Sequence, residues 1–300
     1  MTQSRWRSLV ALADTGSVRA AANRLTVTES AVSAAVSALA RELKVPLVEP
    51  AGRGLRLTPS GVVYARYVRS VLGLLDEAAA AAAGELDPER GRLRLAAVTT
   101  AGDHVLPTLL AAFRRRYPAI DLGLEVAPSA EVWDLLAAHE ADLVIAGRPP
   151  AEVEARVLAT RDNELVVAAA PDVAARFDWT ITPWLLREQG SGTRTTLETY
   201  VAAREVSPPR LVLGSNGAVI AGAVAGLGAT LVSRDAIADL LEAGKLVVVD
   251  VPETPLPRPW HAVTGSHPSA TTRLFVQHLV TAGWQHHDGD QPADGGDRVR

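Results

Sequence analysis

TESAVSAAVSALA, residues 28–40, places apolar residues at the spacing of a short amphipathic helix. Thr28 has the side chain of an N-cap, and Glu29 puts a carboxylate in the first turn, where the helix dipole favours it. Around the helix axis Val32, Ala35, Val36, Leu39 and Leu43 gather on one side, and Ser30, Ser33, Ala34 and Ser37 on the other. The first stripe packs; the second is free to meet something else. Taken alone, the segment is either an ordinary core helix or the reading head of a DNA-binding unit without amide or basic side chains. Small residues bring a helix close to the floor of a major groove, where serine bonds several base edges and alanine touches a thymine methyl. They also read sequence loosely.

The flanking segments favour the second reading. Trp6, Leu9, Val10 and Ala13 recur at helical spacing until DTGS stops the run, and Ser17 caps a second helix reaching Leu25. A TV connection leads into the third helix, and two short helices so joined form a helix-turn-helix. Downstream, PLVEPAGRGLRLTPSG sets Gly52 and Gly54 between short apolar runs, the pattern of a hairpin wing carrying Arg53 and Arg56. Those arginines would reach phosphates or a minor groove. Thr58 and Pro59 then open a long helix as cap and first-turn proline. In it Tyr64, Val68, Val71, Leu75, Ala78 and Ala82 alternate by four and three, the seam of a dimerising helix, with packing on its own domain as the other reading.

Charge divides the chain in the same place. Residues 1–72 hold ten Arg and Lys against four acids, a net of +6, so the whole-chain charge of −4 leaves −10 for the rest. A basic head on an acidic body is the footprint of a nucleic-acid contact confined to one domain. With 300 residues, 48% of them apolar, the chain can bury two or three cores. No signal peptide or membrane-spanning run is read, which places the protein in the cytoplasm. No cysteine occurs, so disulfides, thiolate catalysis and sulfur-ligated zinc are excluded. His104, His139, His261, His267 and His278 lack ligand-like spacing, and HHDGD at 286–290 would hold a metal only weakly, so neither metal nor cofactor is expected.

After the charged hinge GELDPERG the pattern becomes alternating strand and helix: RLRLAAV, LPTLLAAFRRRY, DLGLEV, EVWDLLAAH, DLVIAG, and again from NELVVAA to KLVVVDV. This predicts an α/β body with a mostly parallel sheet covered on both faces. The last helix, TRLFVQHLVTAGW, has no strand left beside it in the second half and is expected to cross back onto the first. Ligands of open α/β sheets lie beyond the strands' carboxyl ends, at helix N-termini that attract anions. Four such corners, rich in hydroxyls and glycine, are VTTAG at 98–102, PSAE at 128–131, QGSGT at 189–193 and GSNGA at 214–218. Thr99, Thr100, Ser129, Ser191, Thr193 and Asn216 are the candidate contacts, with Arg148 or Arg194 supplying charge. Each alone reads as a helix cap; convergence on one cleft would make them a site. No nucleophile elbow, dinucleotide fingerprint, P-loop or acid/base constellation appears, so no enzyme is read.

GSVRAAANRLTVTESAVSAAVSALARELKVPLVEPAGRGLRLTPSG follows in register the pattern GS…AA..L.V..SAVS..I..LE..L…LF.R..RG..LT..G of the LysR-type transcriptional regulators, which the chain therefore resembles. LPTLLAAFRRRYPAIDLGLEV, ADLVIAG, LLREQGSGTR and GAVAGLGATLVS are similar to that family's effector domain, so the resemblance covers residues 5–284; REQGSGTR is nearest the regulators of carbon-fixation and sulfur-assimilation operons. The resemblance implies a winged helix-turn-helix over 1–58, a linker and dimerisation helix with a hinge over 59–90, and a periplasmic-binding-protein-like effector domain over 91–286. Its first half would be 91–160 with 266–286 and its second 161–265, with movement near 84–91, 160 and 265; residues 287–300 read as a disordered tail. Glu29, Ser30 and Ala34 stand where the family has glutamine, proline and a basic residue, and Val48 and Pro50 where the wing has Phe and Arg. The resemblance implies DNA contacts from Arg5, Arg19, Thr28, Glu29, Ser30, Ser33, Ala34, Ser37, Arg53 and Arg56. The backbone contacts of Arg5, Arg19, Arg53 and Arg56 and two-fold avidity would supply most of the affinity. The expected protein is a dimeric or tetrameric regulator that binds an inverted repeat in double-stranded DNA and senses a small anionic metabolite. The alternatives are a small-anion-binding protein with a degenerate helix-turn-helix and an enzyme with an appended DNA-binding head.

Overall fold

The computed structural model describes residues 2–51 and 54–287. The chain divides into two compact units, Met1–Ala83 with Ala137–Glu140, and Gly84–Leu136 with Ala141–Arg300. No helix among the described residues is long and apolar enough to cross a membrane.

In the first unit, α1 (Gln3–Thr15) ends at Gly16, whose φ of 67° suits glycine and whose N–H returns to the Leu12 carbonyl. Helix α2 (Val18–Leu25) starts under Ser17 and α3 (Glu29–Leu43) under Thr28; the two hydroxyls accept from the N–H groups of Ala20 and Ala31. Caps of this type are each worth about 1 kcal/mol. Leu9, Leu12, Ala21, Ala22, Val32, Val36, Leu39 and Leu47 are fully buried and form the core, so the inner stripe of 28–40 packs as its spacing requires. Strands β1 (Val48–Ala51) and β2 (Gly54–Leu57) pair antiparallel as the wing. Its tip, with Arg53, lies outside the described residues.

The long helix α4 (Pro59–Leu86) starts at Thr58, whose hydroxyl donates to the Pro46 carbonyl and accepts from Gly61 N–H. A Cβ at position 61 would stand 2.0 Å from the Leu47 carbonyl oxygen, so only glycine lets the helix seat there. Tyr64 and Ala65 pack into the domain's own core and Val68 is buried. Val63, Tyr67, Val71, Leu74 and Leu75 are exposed, as are Ala78 and Ala82. Of the expected seam, Tyr64 and Val68 are thus taken up within the unit, while Val71, Leu75, Ala78 and Ala82 remain on the free side.

The second unit has two halves. In the first, β3 (Arg92–Val98), β4 (Asp121–Ala127) and β5 (Leu143–Ala146) run parallel, with α5 (Thr99–His104), α6 (Leu106–Arg116) and α7 (Ser129–Ala137) following the strands. Strand β6 (Arg156–Arg161) then leads to the second half. There β7 (Glu164–Ala169) and α8 (Pro171–Ala174) precede β8 (Trp184–Leu186), α9 (Gly192–Ala202), β9 (Arg210–Val212), α10 (Asn216–Val224), β10 (Thr230–Ser233), α11 (Arg234–Glu242), β11 (Val247–Val248) and β12 (Leu256–Pro257). The chain returns through β13 (Trp260–Thr264), α12 (Ala270–Thr281) and β14 (Gln285–His286) to the first half, where the strand order is β14-β6-β13-β5-β3-β4.

Two expectations are corrected here. The sheets are mixed rather than mostly parallel: β13 is antiparallel to β5 and β6, and β10, β11 and β12 are antiparallel to β7. Strands that carry the chain straight from one half to the other return in the opposite sense, which alternation along the sequence does not encode. The return crossing lies at Arg258–Pro259, not near 265, so β13 belongs to the first half. Helix α12 does pack on the first half, where Phe275 meets Phe113 edge-on at 4.9 Å between ring centroids, in a core shared with Leu279 and Trp284.

Candidate functional site

Within the second unit a cleft opens where the carboxyl ends of β3, β4 and β5 face the N-termini of α9 and α11. Three of the four hydroxyl-rich corners meet in it: Thr99 and Thr100, Ser129, and Ser191 with Thr193 all line its wall. Ser191 is also a cap, its Oγ accepting from Arg194 N–H at 3.3 Å. The fourth corner does not line the cleft. Asn216 is buried at the start of α10, with its Nδ2 unbonded among the described residues. The reason is strand order. β8 pairs with β9 on one side and bridges to Ala229, just before β10, on the other, so the helix after β9 starts at the far edge of the sheet. Ser233, at the end of β10, lines the cleft instead.

The expected charges are also placed differently. Arg148 is exposed and does not line the cleft. Arg194 does not line it either: its Nε donates to Glu198 at 2.9 Å and its Nη1 to the Arg187 carbonyl at 2.9 Å, which fixes the loop before α9. The cations that do line the wall are Arg187 and Arg258, neither of which sequence reasoning selected. Arg187 opens the quoted REQGSGTR and could have been read from it; Arg258 stands in no motif. Arg187 is paired with its neighbour Glu188 through two hydrogen bonds, at 2.5 and 3.3 Å, and its Nη1 reaches Thr100 Oγ1 at 3.4 Å. Burial holds the Arg258 guanidinium below its ordinary pKa. Among the described residues no Asp or Glu lines the cleft. One guanidinium balanced by an adjacent carboxylate, one not among the described residues, several hydroxyls and the N-termini of α9 and α11 make a pocket suited to a small anion.

The crossing strands form the floor. Asn163 and Arg258 exchange backbone and amide bonds: Arg258 N–H donates to the Asn163 carbonyl at 2.7 Å, and Asn163 Nδ2 donates to the Arg258 carbonyl at 2.8 Å. Ser233 Oγ donates to Asn163 Oδ1 at 2.6 Å, and Trp260 Nε1 donates to Asp235 at 2.8 Å. Near this floor, burial lowers the pKa of His261 from 6.5, opposed by a hydrogen bond to the Pro259 carbonyl and helped by the charge of Arg148.

In the first unit the outer stripe of α3 is open. Glu29, Ser30, Ala34 and Ser37 are exposed and Ser33 is half-buried, while the Thr28 hydroxyl, besides capping the helix, bonds that of Ser30 at 2.9 Å. Of the expected backbone-contacting arginines, Arg19 is exposed and makes no ion pair among the described residues. Arg5 pairs with Glu42 at 3.4 Å and Arg56 with Glu49 at 2.7 Å. These pairs are exposed, hence weak, about 0–1 kcal/mol each, and can be exchanged for phosphate.

The pattern of the LysR substrate binding domain matches residues 86–284, and that of the bacterial regulatory helix-turn-helix protein, lysR family, matches residues 4–62. The chain is 32% identical over 269 residues to the HTH-type transcriptional regulator CbbR of Rhodospirillum rubrum, covering 87% of this chain and 90% of the relative. It is 32% identical over 272 residues to the RuBisCO operon transcriptional regulator of Acidithiobacillus ferrooxidans, covering 87% and 88%. Among solved structures, the CcmR regulatory domain of Synechocystis PCC6803 in complex with 2-PG superposes with a TM-score of 0.59 at 29% identity, covering 64% of this chain and 96% of that domain.

Proposed function

The chain belongs to the LysR family of bacterial transcriptional regulators, and on that premise we propose that it couples DNA binding by its winged domain to a small anion held in the cleft of its effector domain. It is a DNA-binding regulator, not an enzyme, and its relatives include regulators of carbon-fixation genes. The observation that carries the effector reading is the convergence of Thr99, Thr100, Ser129, Ser191 and Thr193 with Arg187 and Arg258 on one wall free of carboxylates. The 2-PG bound by the CcmR domain makes that anion the first to try.

In this reading the protein acts in the cytoplasm on promoter DNA. Arg5, Arg19, Arg53 and Arg56 grip phosphates, while Glu29, Ser30, Ser33, Ala34 and Ser37, with Thr28 as their cap, face base edges. The apolar face of α4 through Val63, Tyr67, Val71 and Leu74 supports self-association, and a two-fold dimer, alone or within a tetramer, suits an inverted-repeat site. An anion changes the DNA complex only as far as it prefers one arrangement of the cleft over another, and the Asn163–Arg258 crossing is where such a preference acts. The test is fluorescence anisotropy of a duplex from the protein's own upstream region, titrated with 2-PG: a shift of the binding curve supports the reading. Anion binding without any DNA binding would favour a small-anion-binding protein with a degenerate helix-turn-helix.

A further inference from the structure

We infer that Arg258 is the residue that selects the effector's anionic head, which it takes in bidentate fashion on its Nε–Nη2 edge, in a slot bordered by Gly147 and kept clear by the glycine at position 192. The inference rests on the anion-binding reading of the cleft and adds to it a specificity-determining residue and a ligand geometry.

Arg258 stands apart from the other cation of the cleft. Arg187 meets a carboxylate through two of its nitrogens. Among the described residues Arg258 meets none: its only side-chain hydrogen bond there runs from Nη1 to Thr196 Oγ1 at 3.0 Å. Thr196 does not depend on it, since its hydroxyl donates to the Gly192 carbonyl at 2.9 Å. The Nε–Nη2 edge is left open, and that edge is the part of a guanidinium whose two parallel N–H groups match the two oxygens of a carboxylate or phosphate. A half-buried cation without a counter-charge is costly, and it persists where a ligand supplies that charge.

The slot around this guanidinium is built from absent side chains. A Cβ on Gly192, the first residue of α9, would fall 2.8 Å from Arg258 Nη2; one on Gly147, after β5, would fall 3.4 Å from Nη2 and 3.5 Å from Nε. Neither glycine has a φ in the left-handed region, so a side chain at 192 would not strain the backbone and would instead displace the end of the arginine. Gly147 belongs to one half of the effector domain and Gly192 to the other, so the guanidinium sits between the halves. Its own backbone is clasped by Asn163 on the opposite crossing strand. An anion on the Nε–Nη2 edge thus bears directly on the hinge.

The ligand class follows from the charges. With one unbalanced guanidinium, helix N–H groups and no acid on the wall, the head group is a compact carboxylate or phosphate. The body of the ligand lies toward the hydroxyls of Thr99, Thr100 and Ser129.

The test is isothermal titration of the full-length protein with 2-PG and with inorganic phosphate, comparing wild type with Arg258→Met, Arg258→Lys and Gly192→Ala, alongside thermal melting without anion. Loss of a bidentate charged contact should weaken 2-PG binding about 10- to 100-fold in Arg258→Met. Lysine, which keeps the charge but not the fork, should fall between, and Gly192→Ala should weaken binding by displacing Nη2. The melting temperature of Arg258→Met without anion should equal or exceed that of wild type, because an unpaired cation has been removed; a merely structural arginine would lower it. If wild type binds 2-PG or phosphate and Arg258→Met binds it equally, this inference is wrong while the effector reading stands. If wild type binds neither, the effector reading fails and the inference with it.

Discussion

Arg187 Nη1 lies 3.4 Å from Thr100 Oγ1, so a guanidinium carried by the second half of the effector domain touches the first helix corner of the other half. The contact is long for a hydrogen bond and leaves the hydroxyl free to turn toward a ligand. Thr100→Val, which keeps the shape and removes the hydroxyl, is expected to weaken 2-PG binding by about fivefold, the worth of one ordinary hydrogen bond. Calorimetry checks this, and unchanged affinity would remove Thr100 from the site.

The wing offers a paired test of charge. Arg56 is held by Glu49 across the hairpin at 2.7 Å, so some of its attraction for phosphate is spent inside the free protein. Glu49→Gln should strengthen DNA binding at low salt, and Arg56→Ala should weaken it on all sequences while reducing the salt slope by about one. Arg53→Ala should behave as Arg56→Ala does. Anisotropy across a salt series distinguishes these outcomes.

Self-association should depend on the face of α4 that is free, not on the one buried. Leu74 is 50% exposed, and Leu74→Arg should shift the protein toward monomer in sedimentation without lowering its helix content. Val68 is 4% exposed, so Val68→Arg should unfold the helix's surroundings instead. Dissociation by the second variant and not the first would restore the Tyr64–Val68 seam.

Acid should loosen the effector domain through His261. Its folded pKa is lowered by burial, so as the pH falls below the ordinary 6.5 the unfolded chain takes up the proton first. The stability contributed by the neutral ring is therefore complete above that value, declines as the pH falls toward the folded pKa, and levels off below it. Urea unfolding should show a shallower loss as the pH falls below 6.5 for His261→Gln than for wild type. Parallel curves would show that His261 titrates normally.

The winged domain could be read from sequence almost residue by residue, because its signals are local. Ser17 and Thr28 cap the helices that follow them, and the stripe from Val32 to Leu43 packs where its spacing points. The effector domain was legible in its elements but not in their order. Asn216 has the same corner chemistry as Ser191, yet strand β9 carries it to the sheet's edge, and no periodicity records which strand lies outermost. Arg258 was missed for the complementary reason. The role inferred for it rests on Gly192, 66 residues away in sequence, and on a cleft lining without acids among the described residues. On α4 the spacing marks Tyr64, Val68, Val71 and Leu75 alike, and spacing alone does not say which of them the helix buries within its own unit.

The most direct measurement is the anisotropy of a labelled duplex from the protein's own upstream region, taken with full-length protein in dilute buffer and repeated as salt is raised. The account predicts saturable binding below micromolar protein that weakens steeply with salt, the mark of phosphates gripped by the basic N-terminal unit. Indifference to that duplex at micromolar protein and low salt would contradict it.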